Sequence, residues 1–379
     1  MARHLKEYIK VKPVIEFLIA LSTFNVFSGP LKNRIKILLL IFCNIFFWYF
    51  LYTHLTNTIN SQININLMWT LVMWIVLCDF FLIMISNVFK RKKFHLLMQN
   101  IQEVFDGDSE DEEDEEFEGV FQNHVNYSMK VFVFLNRWEI RLMTCLMIIA
   151  GIIFRVRKNY GLIIEINFIT SDNILWRESQ YILQSLLGSL TGFFGLSMNI
   201  GLTFMGLAII TELNILNDHM KLLNEKIKNQ PNFLKKVIKK HCSVINNFNL
   251  FSEIFSETSF MVLFANCVSF LFGFSFLMNY SSDIINYMLI VAGTMLSLHV
   301  CILGEVISIK SENLSETLYQ TNWYELSLKD QKMFLIILGM SQREYKLKAL
   351  GMYDVNLYTF VQISKVAFSY CAVLYSLSQ

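Results

Sequence analysis

Proline is nearly absent from this chain. Only Pro13, Pro30 and Pro231 occur in 379 residues, and none lies inside a long apolar run. A bundle of proline-kinked helices is therefore not what the sequence describes. Charge is scarce as well, at 17% of residues, against about 25% in an average soluble chain. A soluble globule and a disordered polyelectrolyte both fit poorly. The seven cysteines build no secreted disulfide framework, because Cys43, Cys78, Cys145, Cys267, Cys301 and Cys371 sit within apolar runs. No phosphate-binding glycine loop, Rossmann glycine pattern, HExxH or paired CxxC is found. The histidines are scattered without ligand spacing, so neither a metal nor a cofactor is expected. The sequence does not read as an enzyme or as a nucleic-acid binder.

Apolar residues are what the chain has in abundance. They make up 54% of it, with 34 phenylalanines and a mean hydropathy of +0.44. A helix needs about 20 mostly apolar residues to cross about 30 Å of hydrocarbon. Seven segments qualify, at approximately 35–56, 65–89, 131–154, 179–211, 258–281, 284–308 and 355–378. The third is the least regular, since Arg137, Glu139 and Arg141 sit in its first half. Phe17–Ser28 is too short to span and lacks a cleavage pattern, so residues 1–30 read as an interfacial or cytosolic helix. Met333–Met340 reads as a buried cytosolic helix for the same reason. The expectation is an all-α, polytopic membrane protein, one seven-helix domain over 1–379. A cytosolic anchor region is built from 212–257 and 310–350.

The formal net charge is +1, yet the charges are segregated. Ten of the 31 acids lie between Asp106 and Glu118, leaving 21 against 32 basic residues elsewhere. Lysine and arginine near span ends are retained on the cytoplasmic side. Counting loops and adjoining span ends, 27 of the 32 fall on one side, and only Arg155, Arg157, Lys158 and Arg177 on the other. This predicts a cytosolic N-terminus and an extracellular C-terminus, inverted relative to G-protein-coupled receptors. The acidic run itself reads as a solvated cytosolic loop.

The C-terminal hundred residues carry a signature. Tyr319 and Trp323 are followed by Gly351-Met352-Tyr353-Asp354-Val355-Asn356-Leu357-Tyr358-Thr359-Phe360, then by Ile363-Ser364-Lys365 and Phe368-Ser369-Tyr370-Cys371-Ala372-Val373-Leu374-Tyr375. This resembles the insect odorant receptor family, as do the length and the inverted seven-span layout. The related gustatory receptors end in a Thr-Tyr, five apolar residues, Gln-Phe pattern. Ser369-Tyr370 and then Ser376-Leu377 depart from it. The resemblance implies a subunit of an odorant-gated, non-selective cation channel in the plasma membrane of olfactory neurons, passing monovalent and divalent cations. Such subunits assemble with a shared co-receptor, as a tetramer in which each last helix lines a central pore. The co-receptor has a long insertion between spans four and five. Residues 212–257 are modest in comparison, which implies a ligand-tuned subunit. A seven-span G-protein-coupled chemoreceptor is the alternative, and a transporter the weaker third reading.

Matched to the family's last helix, the gate falls at Val373, Ser376 and Leu377. At about 100° per residue, Leu377 lies about 40° from Val373 and Ser376 about 60° to the other side. Lys365 is a costly charge within that span. It is expected to pair with Asp79 or Glu305 rather than to face the pore. The resemblance places the odorant in the outer half of the bundle, among spans two, three, four and six. The residues offered there are Trp69 and Met73; Met147, Ala150, Gly151 and Phe154; Tyr181, Gln184, Ser185 and Gly188; and Tyr287, Ile290, Val291 and Thr294. Aromatic, Met and aliphatic lining suits a small volatile.

Overall fold

The computed structural model describes residues 6–25, 29–58, 65–106, 115–156, 161–163, 174–226, 233–279, 284–343 and 345–378. These residues are almost entirely helical. In chain order the helices are α1 (Lys6–Ser22), α2 (Leu31–Thr58), α3 (Ile65–Phe89), α4 (Arg91–Asp106), α5 (Glu115–Val156), α6 (Ile174–Lys221), the single turn α7 (Leu223–Lys226), α8 (Phe233–Asn279), α9 (Ile284–Tyr319), α10 (Leu328–Ser341) and α11 (Leu357–Ser378). A small antiparallel hairpin, β1 (Lys348–Ala349) and β2 (Tyr353–Asp354), separates α10 from α11.

Among the described residues, five helices are long and apolar enough to cross a membrane: α2, α3, α6, α8 and α9. The other two segments read as spans lie in α5 and α11, both helical. Arg137, Glu139 and Arg141 interrupt the apolar run of α5, and Lys365 is the one charge within α11. At about 1.5 Å per residue, the 48 residues of α6 and the 47 of α8 extend about 70 Å each. That is more than twice the thickness of bilayer hydrocarbon. Their surplus length packs against α1, α4, α9 and α10.

Two hydrophobic clusters result. The larger one joins Leu18 and Ile19 of α1, Leu97 and Ile101 of α4, Phe132, Phe204, Phe251 and Phe255, and Phe334 of α10. It sits toward the ends of α6, α8 and α9 that carry the basic segments. The smaller one, at the opposite end, gathers Phe47, Leu51, Trp69, Val72, Phe154, Leu187, Phe276 and Leu289. Local signals explain several boundaries. Ser327 caps α10 by accepting a hydrogen bond from the Asp330 amide at 3.2 Å. Leu350 and Gly351 take the left-handed conformation at φ 48° and 71°, which closes the hairpin. The acidic residues 107–114 lie outside the described residues.

Candidate functional site

Trp69 is the centre of the smaller cluster. Its ring stacks on Phe276 of α8 at 5.4 Å and meets Phe154 of α5 edge-on at 5.8 Å. The register of α3 against α8 brings these rings together. The two helices run antiparallel, with Thr258 donating to Asn87 at 3.4 Å. Trp69 is only 2% exposed, and its Nε1–H has no hydrogen-bond partner among the described residues. An indole donates and cannot accept. The cluster is therefore a packed aromatic core in which the indole donors of Trp69 and Trp74 have no partner among the described residues.

The remaining sequence-predicted residues divide by position. Met73 and Ala150 pack against the cluster, and Phe154 is part of it. Gly151 lets α5 approach α6 closely: a Cβ there would lie 2.6 Å from the Ser185 hydroxyl. Met147 fills the space in front of Gly192, whereas Gly188 faces open space. Gln184 accepts a hydrogen bond from the Ile163 amide at 2.9 Å, and Asn66 donates to the Leu162 carbonyl at 3.0 Å. These two residues hold the short segment 161–163 over the cluster. Tyr181 lies under the Arg155 guanidinium at 5.6 Å, and Arg155 also pairs with Glu178. On α9, Ile290 packs into Gly273 and Thr294 bonds the Ile290 carbonyl. Tyr287 and Val291 are 49% and 43% exposed and point outward. Leu289 is the α9 residue that reaches the cluster. Phe276, Leu187 and Leu289 escaped the sequence reading, since only the register of α8 and α9 against α3 picks them out.

A second polar feature crosses the middle of the bundle. His299 of α9 pairs through Nδ1 with Glu139 of α5, and its Nε2 lies 2.9 Å from the Thr203 hydroxyl of α6. One residue from each of three helices is thus tied into one group.

The final helix is packed on one side only. Ala367 and Cys371 are buried, and Phe368 meets Phe274 of α8 edge-on at 5.7 Å. Cys371 lies about 160° around the helix from Val373. The packed face is therefore opposite the expected gate, and Val366 and Val373 are 65% and 56% exposed. Ser376 donates its hydroxyl to the Val373 carbonyl at 2.8 Å. The Leu377 side chain lies outside the described residues. The expected pairing of Lys365 is not made. Lys365 is exposed on α11, whereas the Asp79 carboxylate is buried in α3, and both helices pack against α8. Glu305 accepts instead from the Leu357 amide at 3.3 Å, at the start of α11.

The model of the 7tm odorant receptor family matches residues 60–368 of this chain. The chain belongs to the odorant receptor family. Among solved structures, the chain is similar to the insect olfactory receptor OR5 from Machilis hrabei in complex with eugenol. That likeness has a TM-score of 0.76 at 14% identity, covering 98% of this chain and 100% of that one. The structure of OR5 from Machilis hrabei described without eugenol gives 0.71 at 11% identity, over 97% and 99%. These are likenesses of fold. Odorant receptor 49a of Drosophila melanogaster is 30% identical over 71 residues, or 19% of this chain and 18% of that one. A second odorant receptor of that fly is 32% identical over 69 residues, 18% and 17% of the two chains. The chain thus matches less than a fifth of the length of either fly receptor. As an odorant receptor with apolar helices of this length, it is a multi-pass membrane protein.

Proposed function

We propose that this odorant receptor is the ligand-tuned subunit of a heteromeric, odorant-gated, non-selective cation channel in the plasma membrane of olfactory neurons. It acts as a receptor and not as an enzyme. It crosses the membrane seven times through α2, α3, α5, α6, α8, α9 and α11, with its N-terminus cytosolic. The basic residues gathered at one end of the bundle support that direction. Residues 212–257 and 310–350 then form the cytosolic anchor. The partner is the family co-receptor, and α11 faces the central pore of the assembly.

One observation carries the channel reading above the receptor alternatives. The face of α11 opposite Ala367 and Cys371 carries the exposed Val366 and Val373 among Ser369 and Ser376, and a ring of such valines makes a pore that closes by excluding water. The odorant site is the cluster around Trp69, Phe154 and Phe276, built of aromatic and aliphatic groups and supplied with the indole donor of Trp69. A small apolar volatile with a single oxygen suits it.

Co-expression with the co-receptor in an oocyte tests the reading. The expected result is an odorant-evoked cation current that persists when G-protein signalling is blocked, together with a C-terminal tag accessible on intact cells. A current that requires G-protein signalling would favour the chemoreceptor alternative.

A further inference from the structure

Lys365 lies eight residues beyond Leu357, where α11 begins. Its side chain is exposed, and it makes no ion pair or hydrogen bond among the described residues. Glu305 is held at the first turn of α11, where it accepts from the Leu357 amide. At about 1.5 Å per residue, that is about 12 Å from the level of Lys365. A four-carbon stem does not bridge this gap.

Helix geometry gives the direction of the charge. Ala367 and Cys371 mark the packed face of α11. At about 100° per residue, Ser369 points directly away from their midpoint, and Lys365 and Val373 lie about 40° to either side of it. Tyr358, Gln362 and Ser376 fall within about 20° of Ser369. The free face of α11 thus carries a line of polar side chains and one charge, with Val373 toward its outer end. Lipid tails do not accept an unpaired ammonium at this depth, whereas a water-filled pathway does.

We infer that Lys365 is a charge-selectivity residue of the pore. Its ammonium stands in the inner vestibule, about 12 Å to the cytosolic side of Val373, and lowers the local concentration of cations, divalent ones most. The placement rests on the channel reading and the orientation under Proposed function. A unit charge about 8 Å from the ion path in water changes the local concentration of a monovalent cation about twofold. For a divalent cation the factor is the square, about fourfold. Salt shortens the reach of such a charge from about 10 Å at 0.1 M to about 3 Å at 1 M.

The test is single-channel recording in excised patches from cells that co-express the full chain and the family co-receptor. The channels are opened by the most effective member of a panel of volatile alcohols, ketones and esters. In symmetrical sodium chloride at about 0.1 M, Lys365→Gln should raise the outward conductance about 1.5- to 2.5-fold. Lys365→Glu should raise it further, and Lys365→Arg should leave it near the parent. With calcium chloride on the cytosolic side, the gain in Lys365→Gln should be about the square of the sodium gain. At about 1 M salt the difference between parent and Lys365→Gln should vanish. Lys365→Cys, modified in the patch after assembly, separates charge from folding: a cationic methanethiosulfonate should restore the parental conductance and an anionic one should raise it. Unchanged conductance in Lys365→Gln and Lys365→Glu would overturn the inference and place Lys365 against a neighbouring subunit, while the odorant-evoked current would leave the channel reading standing. A gain that persists at about 1 M salt would overturn it in favour of a steric effect. No current from the parent with any volatile of the panel would overturn the channel reading and this inference with it.

Discussion

The backbone carbonyl of Val355 occupies the space that a side chain on Gly304 would need. This contact joins α9 to the strand leading into the last helix. Beside it, Glu305 accepts from the Leu357 amide at 3.3 Å, and Asn356 Oδ1 accepts from the Thr359 amide at 2.8 Å. The first turn of α11 is thus capped partly by its own chain and partly by α9. A rotamer change cannot relieve a clash with backbone, so a Cβ at 304 forces the two segments apart. Overpacking of this kind costs about 1–3 kcal/mol.

Gly304→Ala should therefore lower the maximal odorant-evoked current severalfold while surface expression, read by biotinylation, stays within about twofold of the parent. Gly339→Ala serves as the control, because nothing lies within 4 Å of the added methyl group. Normal currents in Gly304→Ala would show that α9 does not set the position of α11.

The His299–Glu139 pair predicts a coupling between helices. Both side chains are mostly buried, at 17% and 16% exposure, and Thr203 holds the second imidazole nitrogen. Removing one partner leaves the other desolvated and unpaired. His299→Leu and Glu139→Leu should each destabilise the purified chain, and the double variant should be less damaged than the sum. A double-mutant cycle on melting temperatures is expected to give a coupling of about 0.5–3 kcal/mol. Additive losses would mean that the pair contributes nothing beyond packing.

Much of this architecture is legible in the sequence, and the limits of that reading are physical. Long apolar runs reveal α2, α3, α6, α8 and α9, because hydropathy is a local property. The short runs in α1 and α10 also form helices, and their buried Leu18 and Phe334 pack into the larger cluster. Register between helices is not local. Nothing in the sequence brings Phe276 to Trp69, or directs Tyr287 outward while Leu289 turns in. The expected partner of Lys365 was missed for the same reason. A charge within a span signals a special environment, but only packing decides whether it meets Asp79 or the exposed face of α11.

His241 contributes one limb of the acid response. It lies at the end of α8 away from the aromatic cluster, beside a cavity lined by Leu213, Leu216, Val244 and Phe248. Burial pushes its imidazole from the usual 6.5 down to about 4. At this site the unfolded chain therefore binds more protons between those two values, and the contribution of His241 to stability falls as pH drops from about 6.5 toward 4. Asp218 adds its own acid limb. Burial alone would raise this carboxyl, but the His124 and Lys221 contacts outweigh burial and hold it below its ordinary value. His241→Leu should flatten the melting-temperature profile between pH 4 and 6.5 and leave the lower limb in place. An unchanged profile would remove His241 from the acid response.

Trp69 separates two contributions to odorant recognition. Its ring gives apolar surface against Phe154 and Phe276, and its Nε1–H is a buried donor without a partner among the described residues. Trp69→Ala removes both, and loss of a buried Trp also costs about 3–5 kcal/mol of stability, so current has to be normalised to surface expression. Trp69→Phe keeps an aromatic ring and removes the donor together with part of the buried ring surface. For odorants carrying one oxygen, Trp69→Phe should raise the half-maximal concentration about three- to tenfold, the equivalent of one hydrogen bond at about 0.5–1.5 kcal/mol. For a hydrocarbon of the same shape it should change little. The difference between the two odorants, rather than either shift alone, reads the hydrogen bond. Equal shifts for both would assign Trp69 to packing and move the odorant away from the indole nitrogen.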